Sequence, residues 1–407
     1  MAEDRSLRSF YRYVVVAAGF IGSGVIWGTY RTYGLFFKSL SSEFGWTSAE
    51  TSGAFSLAFL LFGVSSIVAG RLSDKIGLKL VFITSGLVLG AGYFLMAGVS
   101  SIWELYLFYG VIIGIGMSGI DAPAQSTIIR WFVKKRGMAI GVAKTGTGIG
   151  MFILPLLAVW LISSYGWRNA YTAIGIISIA GIMSIGLFLR RGPDSGANLP
   201  HATGESTKVT PQRVSRQLTL REVFGTHRFW IYSTIWFILG FSTQIIMVHI
   251  APHVMELGIS VTTAASILSV TGAISILGRI AMGSLSDRMG NRLVFIISIS
   301  LLVVSYAWVL YAREAWMYYL FAVIYGFAHG AVYTLSSPML AELFGLKSLG
   351  AIIGAVVFIG TIGGSIGPYL SGSIFDITGS YRTSFLICLA LSIVALVLMA
   401  FLRPTRE

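Results

Sequence analysis

Gly70-Arg-Leu-Ser-Asp74-Lys75-Ile-Gly77-Leu-Lys79 returns 213 residues later as Gly283-Ser-Leu-Ser-Asp287-Arg288-Met-Gly290-Asn-Arg292. A glycine, a leucine, a serine, an aspartate, a base, a second glycine and a second base keep their offsets in both copies. Each copy follows an apolar run long enough to cross a bilayer, so the repeat marks equivalent loops in two related halves. The residue types suit a tight turn between helices. Gly70, Gly77, Gly283 and Gly290 permit close helix approach or a positive φ. Asp74 and Asp287 suit neighbouring helix N-termini, where the dipole favours an anion.

On either side of these loops the chain is apolar. Of its 407 residues, 55% are hydrophobic and 11% charged, against about 25% charged in a soluble domain. So few charges cannot cover a water-facing surface. A spanning helix needs about 20 mostly apolar residues. Twelve stretches qualify, at 13–37, 51–70, 79–98, 102–128, 137–161, 168–189, 229–254, 261–286, 293–312, 315–341, 348–375 and 383–402. The expected fold is an all-α membrane protein of two six-helix bundles, 1–189 and 229–407. The segment 190–228 joins them as a linker rich in Pro, Gly, Ser, Thr and bases. Within it, Thr219-Leu-Arg-Glu222 has a capping-box pattern and predicts a short surface helix. The first run is too long for a signal-peptide core, so it is expected to be retained. The lone Cys388 excludes a disulfide framework within the chain.

The net charge of +13 would suit nucleic acid, but its distribution gives it to topology. Of 29 Lys and Arg, 22 fall on the side of the termini, four on the other side and three inside spans. This bias predicts cytoplasmic termini in a cell membrane, with the bilayer as partner and no nucleic acid. No metal-ligand spacing, phosphate loop or catalytic set stands out. The reading is therefore neither an enzyme nor a cofactor protein, and it implies transport driven by gradients.

An ionisable group at mid-membrane costs roughly 2.5 kcal/mol or more and suggests function. Arg279 stands eight residues before Asp287, about 12 Å along its helix, with no acid within a turn of it. A guanidinium does not deprotonate to escape burial, and its fork matches a carboxylate. Arg31 lies near Tyr30 and Tyr33 towards the outer end of the first span; it suits either anion attraction or snorkelling to the surface. Asp121 and Lys144 lie at similar depth on consecutive helices. They suit a helix-locking pair or a proton relay that opens when one member changes protonation. His249 and His329 can hydrogen-bond substrate, carry a proton or simply pack. Tyr325 and Tyr333 flank His329 at four-residue spacing, on one helical face. After the Asp121–Lys144 pair is subtracted, two arginines remain, which suits one small anion.

The twin loops resemble the signature of the major facilitator superfamily. The stretch Trp131-Phe132-Val-Lys134-Lys135-Arg136-Gly-Met138-Ala139-Ile-Gly141-Val-Ala143-Lys-Thr-Gly146-Thr-Gly-Ile-Gly150 resembles the monocarboxylate transporter signature within it, and Gly326-Phe-Ala-His-Gly330 looks like a second family segment. The resemblance implies alternating access and places Arg279 and Arg31 on the family's carboxylate-binding positions. It departs at Arg8-Ser-Phe-Tyr-Arg12, which lacks the family's acidic motif, and at Ser275, where the family has an aspartate. The proton pathway of an Asp–Arg pair therefore does not transfer. Oxalate/formate antiporters are the nearest competitor, through Arg279 and Arg228-Phe229-Trp230, but the stretch from Leu349 to Phe375 holds no base for a second carboxylate.

The expectation is a monomeric symporter of protons with a small monocarboxylate of the lactate or pyruvate type. Arg279, Arg31, Tyr333, His329, His249 and Tyr325 are its expected substrate contacts. Asp121, Lys144 and His249 are its candidates for proton coupling. A non-transporting carboxylate sensor is the alternative from another class; a drug or sugar porter fits the membrane charges less well.

Overall fold

Helices approach closely where side chains are absent, and the 48 glycines set the packing. The computed structural model describes residues 2–131, 136–189, 220–344 and 349–402. Among these, every regular element is helical: α1 (Ala2–Arg31), α2 (Tyr33–Phe44), α3 (Ser48–Ile76), α4 (Leu78–Met96), α5 (Ile102–Leu105), a π-helical stretch (Tyr106–Ile113), α6 (Gly114–Ser118), α7 (Asp121–Trp131), α8 (Arg136–Gly186), α9 (Leu220–Phe224), α10 (His227–Glu256), α11 (Val261–Met289), α12 (Asn291–Val309), α13 (Ala315–Phe344), α14 (Leu349–Thr378) and α15 (Arg382–Phe401).

Among the described residues, eleven helical stretches are long and apolar enough to cross a membrane. One of them, Ala139–Gly186, runs for 48 residues. It breaks at Gly166, whose φ of 79° and ψ of 160° no helix contains. The two arms are the fifth and sixth expected spans, which restores the count of twelve. The expected surface helix is α9, although Thr219, its proposed cap, and the linker core lie outside the described residues.

Two spans differ from the continuous helices that hydropathy predicts. The first is interrupted between Arg31 and Tyr33, where Thr32 is the N-cap of α2. The fourth passes through a π-helical stretch and then breaks at Gly119, so Asp121 opens a new helix. A Cβ at Gly119 would stand 2.0 Å from Ser85 Oγ, so only glycine fits where this break meets α4.

The twin loops share their backbone. Gly77 has φ 93° and ψ 152°, and Gly290 has φ 85° and ψ 147°. Each donates its N–H to the serine four residues back, Ser73 at 3.0 Å and Ser286 at 2.9 Å. Both turns therefore need glycine for the same reason. The side chains of Asp74 and Asp287 lie outside what is described.

The duplication also builds the contact between the halves. Gly63 meets Thr361 and Gly364 meets Phe59, joining α3 to α14. Displaced by the same 213 residues, Gly148 meets Ile276 and Gly272 meets Met151, joining α8 to α11. One interface thus appears twice about an internal pseudo-twofold axis. Within the first half, Gly24 and Gly28 of α1 seat on Gly146 and Gly150 of α8; a Cβ on Gly150 would lie 2.0 Å from the Gly24 carbonyl oxygen.

Candidate functional site

The membrane charges converge where α1, α7, α8 and α11 meet. Lys144 Nζ forms an ion pair with Asp121 Oδ2 at 2.7 Å. Ser23 Oγ of α1 donates to the other carboxylate oxygen at 2.8 Å. The break at Gly119 puts Asp121 in the first turn of α7, where the helix dipole also favours its charge. Asp121 is 7% exposed, whereas 31% of the Lys144 side chain is accessible. The pair is thus buried at its acid and open at its base.

Arg279 crosses from the second half to this group. Its Nη1 donates to the Lys144 carbonyl oxygen at 2.9 Å, while its buried Nε has no partner. The absence of an acid within a turn of it on its own helix is thus met by a neutral acceptor on the other half. The charge of Asp121 acts on this guanidinium but is itself paired with Lys144, so Arg279 has no ion pair of its own among the described residues and can accept an anion.

Arg31 is the last residue of α1, beside the interruption at Thr32, and is 6% exposed. It hydrogen-bonds through Nη1 to Gln244 Oε1 of α10, and its guanidinium carbon stands 5.7 Å from the Trp27 ring centre. Such burial excludes snorkelling to the outer surface in this state.

On α13 the four-residue spacing produces the expected ladder. The His329 ring is 5.8 Å from Tyr325 and 4.8 Å from Tyr333, centre to centre. Tyr325 is fully buried against Phe321 and Tyr306, so it backs the ladder. Tyr333 is 37% exposed. Among the described residues, neither ring nitrogen of His329 has a hydrogen-bond partner. The charges of both Arg31 and Arg279 reach His329 and Tyr333. The structure therefore brings Arg31, Arg279, His329 and Tyr333 around one region, with Asp121 and Lys144 beside it.

His249 lies elsewhere. It is completely buried, its Nε2 bonds the Pro368 carbonyl at 2.9 Å, and its ring packs on Phe37 and Tyr381. Its neighbours make it part of the packing of α10 against α14 and α15. Ser23 and Gln244, in turn, are absent from the expected set. Both are uncharged, and a polar side chain inside an apolar run gives no signal until its partner is known.

On the side away from the termini the halves are sealed. Asp376 of α14 accepts the backbone N–H groups of Ser48 and Ala49, both at 2.7 Å, and so caps α3 across the interface. Tyr369 N donates to Ser56 Oγ at 3.2 Å, and a Cβ on Gly34 would lie 2.6 Å from the Val248 carbonyl oxygen. On the side of the termini, a Cβ at Gly70, Gly141 or Gly354 would meet nothing among the described residues.

Two six-helix halves around a central polar group, sealed on one side, define a membrane transporter of the twelve-helix class. The chain belongs to the Major Facilitator Superfamily, whose model matches residues 19–283 and 237–407. Within it the similarity runs to monocarboxylate transporters, as the signature segment implied. Monocarboxylate transporter 13 of Rattus norvegicus is 29% identical over 377 residues, covering 92% of this chain and 85% of that protein. Monocarboxylate transporter 2 of Homo sapiens is 26% identical over 401 residues, covering 94% and 83%. Among solved structures, the nucleoside transporter NupG superposes with a TM-score of 0.75 at 16% identity, over 97% of this chain and 100% of that one. A bacterial homologue of the human lysosomal transporter Spinster, inward-facing and occupied, gives 0.73 at 18% identity, over 96% and 97%. These two likenesses concern the fold.

Proposed function

We propose that the protein carries a small monocarboxylate, of the lactate or pyruvate type, across the cell membrane together with a proton, by alternating access. The observation that carries this reading is Arg279. It is a guanidinium between the halves whose only hydrogen bond among the described residues is to a neutral carbonyl. In this reading the carboxylate displaces the Lys144 carbonyl as acceptor, and Tyr333 and His329 form the wall against which it lies. Asp121 carries the proton. Protonation of Asp121 frees Lys144, and the Lys144 backbone is what Arg279 holds, so proton and anion meet on one residue.

The termini are cytoplasmic in this reading, and the structure represents a state closed to the outside. Its return step is inferred from the repeat. The paired helices run antiparallel, so Gly63–Thr361 is followed, seven residues or about two helical turns towards the termini, by Gly70 and Gly354. By the repeat, Gly148–Ile276 is followed by Gly141 and Gly283. Among the described residues, a Cβ on three of these four glycines would meet nothing, and one on Gly283 would meet only Thr334 of its own half, at 3.6 Å. They are the places where the halves close on the cytoplasmic side. The test is uptake of labelled lactate into proteoliposomes with an imposed pH gradient. Uptake that needs the gradient and is competed by other monocarboxylates supports the function; gradient-independent counterflow alone would make the protein an exchanger.

A further inference from the structure

Arg31 and Gln244 are the same position in the two repeats, 213 residues apart, and they touch. They face one another across the pseudo-twofold axis, one on each half. The pair is chemically unequal. Arg31 is a permanent charge, whereas Gln244 is a neutral group with one acceptor and one amino group. Arg31 Nη1 uses the Gln244 Oε1 acceptor. That leaves Arg31 Nε and Gln244 Nε2 both buried and without a hydrogen-bond partner among the described residues, at residues 6% and 1% exposed. Two adjacent unpaired donors cost stability as they stand. Their arrangement is understandable if the bond is temporary.

The bond spans the two halves close to the seal formed by Gly34 of α2 and Val248 of α10. Opening the outer side separates these helices, so it also separates Arg31 from Gln244. Each residue then stands on its own wall with free hydrogen-bonding capacity. We propose that Gln244 is the residue that discriminates among substrates. Arg31 takes the carboxylate on entry, and the Gln244 carboxamide pairs with an oxygen on the adjacent carbon. A carboxamide both donates and accepts, so it serves a 2-oxo and a 2-hydroxy acid alike. An acid without that oxygen leaves the amide unpaired and is disfavoured. This inference rests on the monocarboxylate reading above.

The experiment compares KM for labelled lactate, pyruvate and propionate in proteoliposomes holding the wild type, Gln244→Met or Gln244→Asn. The wild type is expected to favour lactate and pyruvate. Gln244→Met should raise their KM about tenfold or more and leave that of propionate within about twofold, because only the first two lose a hydrogen bond. Gln244→Asn keeps the amide one methylene short. It should show the same selective loss in smaller degree, and it carries the test if Gln244→Met does not fold. Equal shifts for all three acids would overturn the proposal, making Gln244 only a support for Arg31 or the outer seal; unchanged values would overturn it too. A wild type that takes up none of the acids overturns the proposed function itself, and this role with it.

Discussion

The guanidinium of Arg279 has five donors, and a backbone carbonyl holds one of them. Truncating it removes the charge that the carboxylate would meet, a loss of about 2–5 kcal/mol for a buried charge-assisted contact. Arg279→Ala is accordingly expected to cut lactate uptake by about thirtyfold or more, and Arg279→Lys to recover only part, since an ammonium lacks the fork. Asp121→Asn keeps the shape of the Ser23–Asp121–Lys144 group but not its charge. It is expected to leave lactate counterflow running while abolishing acceleration by a pH gradient, read in the same vesicles. The charged residues of this site were legible in the sequence because charge inside an apolar run is costly and therefore conspicuous. Ser23 and Gln244 were not, since hydroxyls and amides occur in spans for many reasons. His249 shows the converse: its chemistry suggested a cavity, but the Pro368 carbonyl and the rings of Phe37 and Tyr381 hold it in the packing.

At the scale of the helix, small residues decide which pairs can form. A Cβ at Gly146 would stand 1.9 Å from the Phe20 carbonyl oxygen, against backbone that cannot yield. Gly146→Val is expected to drive α1 from α8 and to lose monodisperse protein on size-exclusion chromatography. Gly141→Ala, a few residues away with open space around it, should be purified at wild-type yield. Hydropathy located the elements because twenty apolar residues in a row have few other uses. It missed the π-helical stretch of the fourth span and the interruptions at Thr32 and Gly119, since neither changes the apolar pattern. Those interruptions place Arg31 and Asp121. The sequence therefore revealed the spans but not the irregularities that turn two of them into a site.

Across the whole molecule, the repeat predicts a second arrangement of the same halves. If Gly70 and Gly354, and likewise Gly141 and Gly283, come together when the cytoplasmic side closes, cysteine pairs there should cross-link in the outward-open state. The native Cys388 is buried and leaves the background low. Gly70→Cys with Gly354→Cys is expected to resist cross-linking in the present state, and to lose uptake once cross-linked. Cross-linking equally fast in every condition, with transport intact, would contradict this closure. The twofold architecture was readable from the twin loops alone. The seal on the side away from the termini was not, because Asp376 capping α3 joins residues more than 300 positions apart, and nothing local to either announces the other.

The most direct measurement is labelled lactate uptake by wild type and Arg279→Ala in proteoliposomes with an alkaline interior, at matched protein content. Rapid, gradient-dependent uptake by the wild type and near-background uptake by the variant is the predicted result. Uptake by Arg279→Ala at the wild-type level would contradict the account.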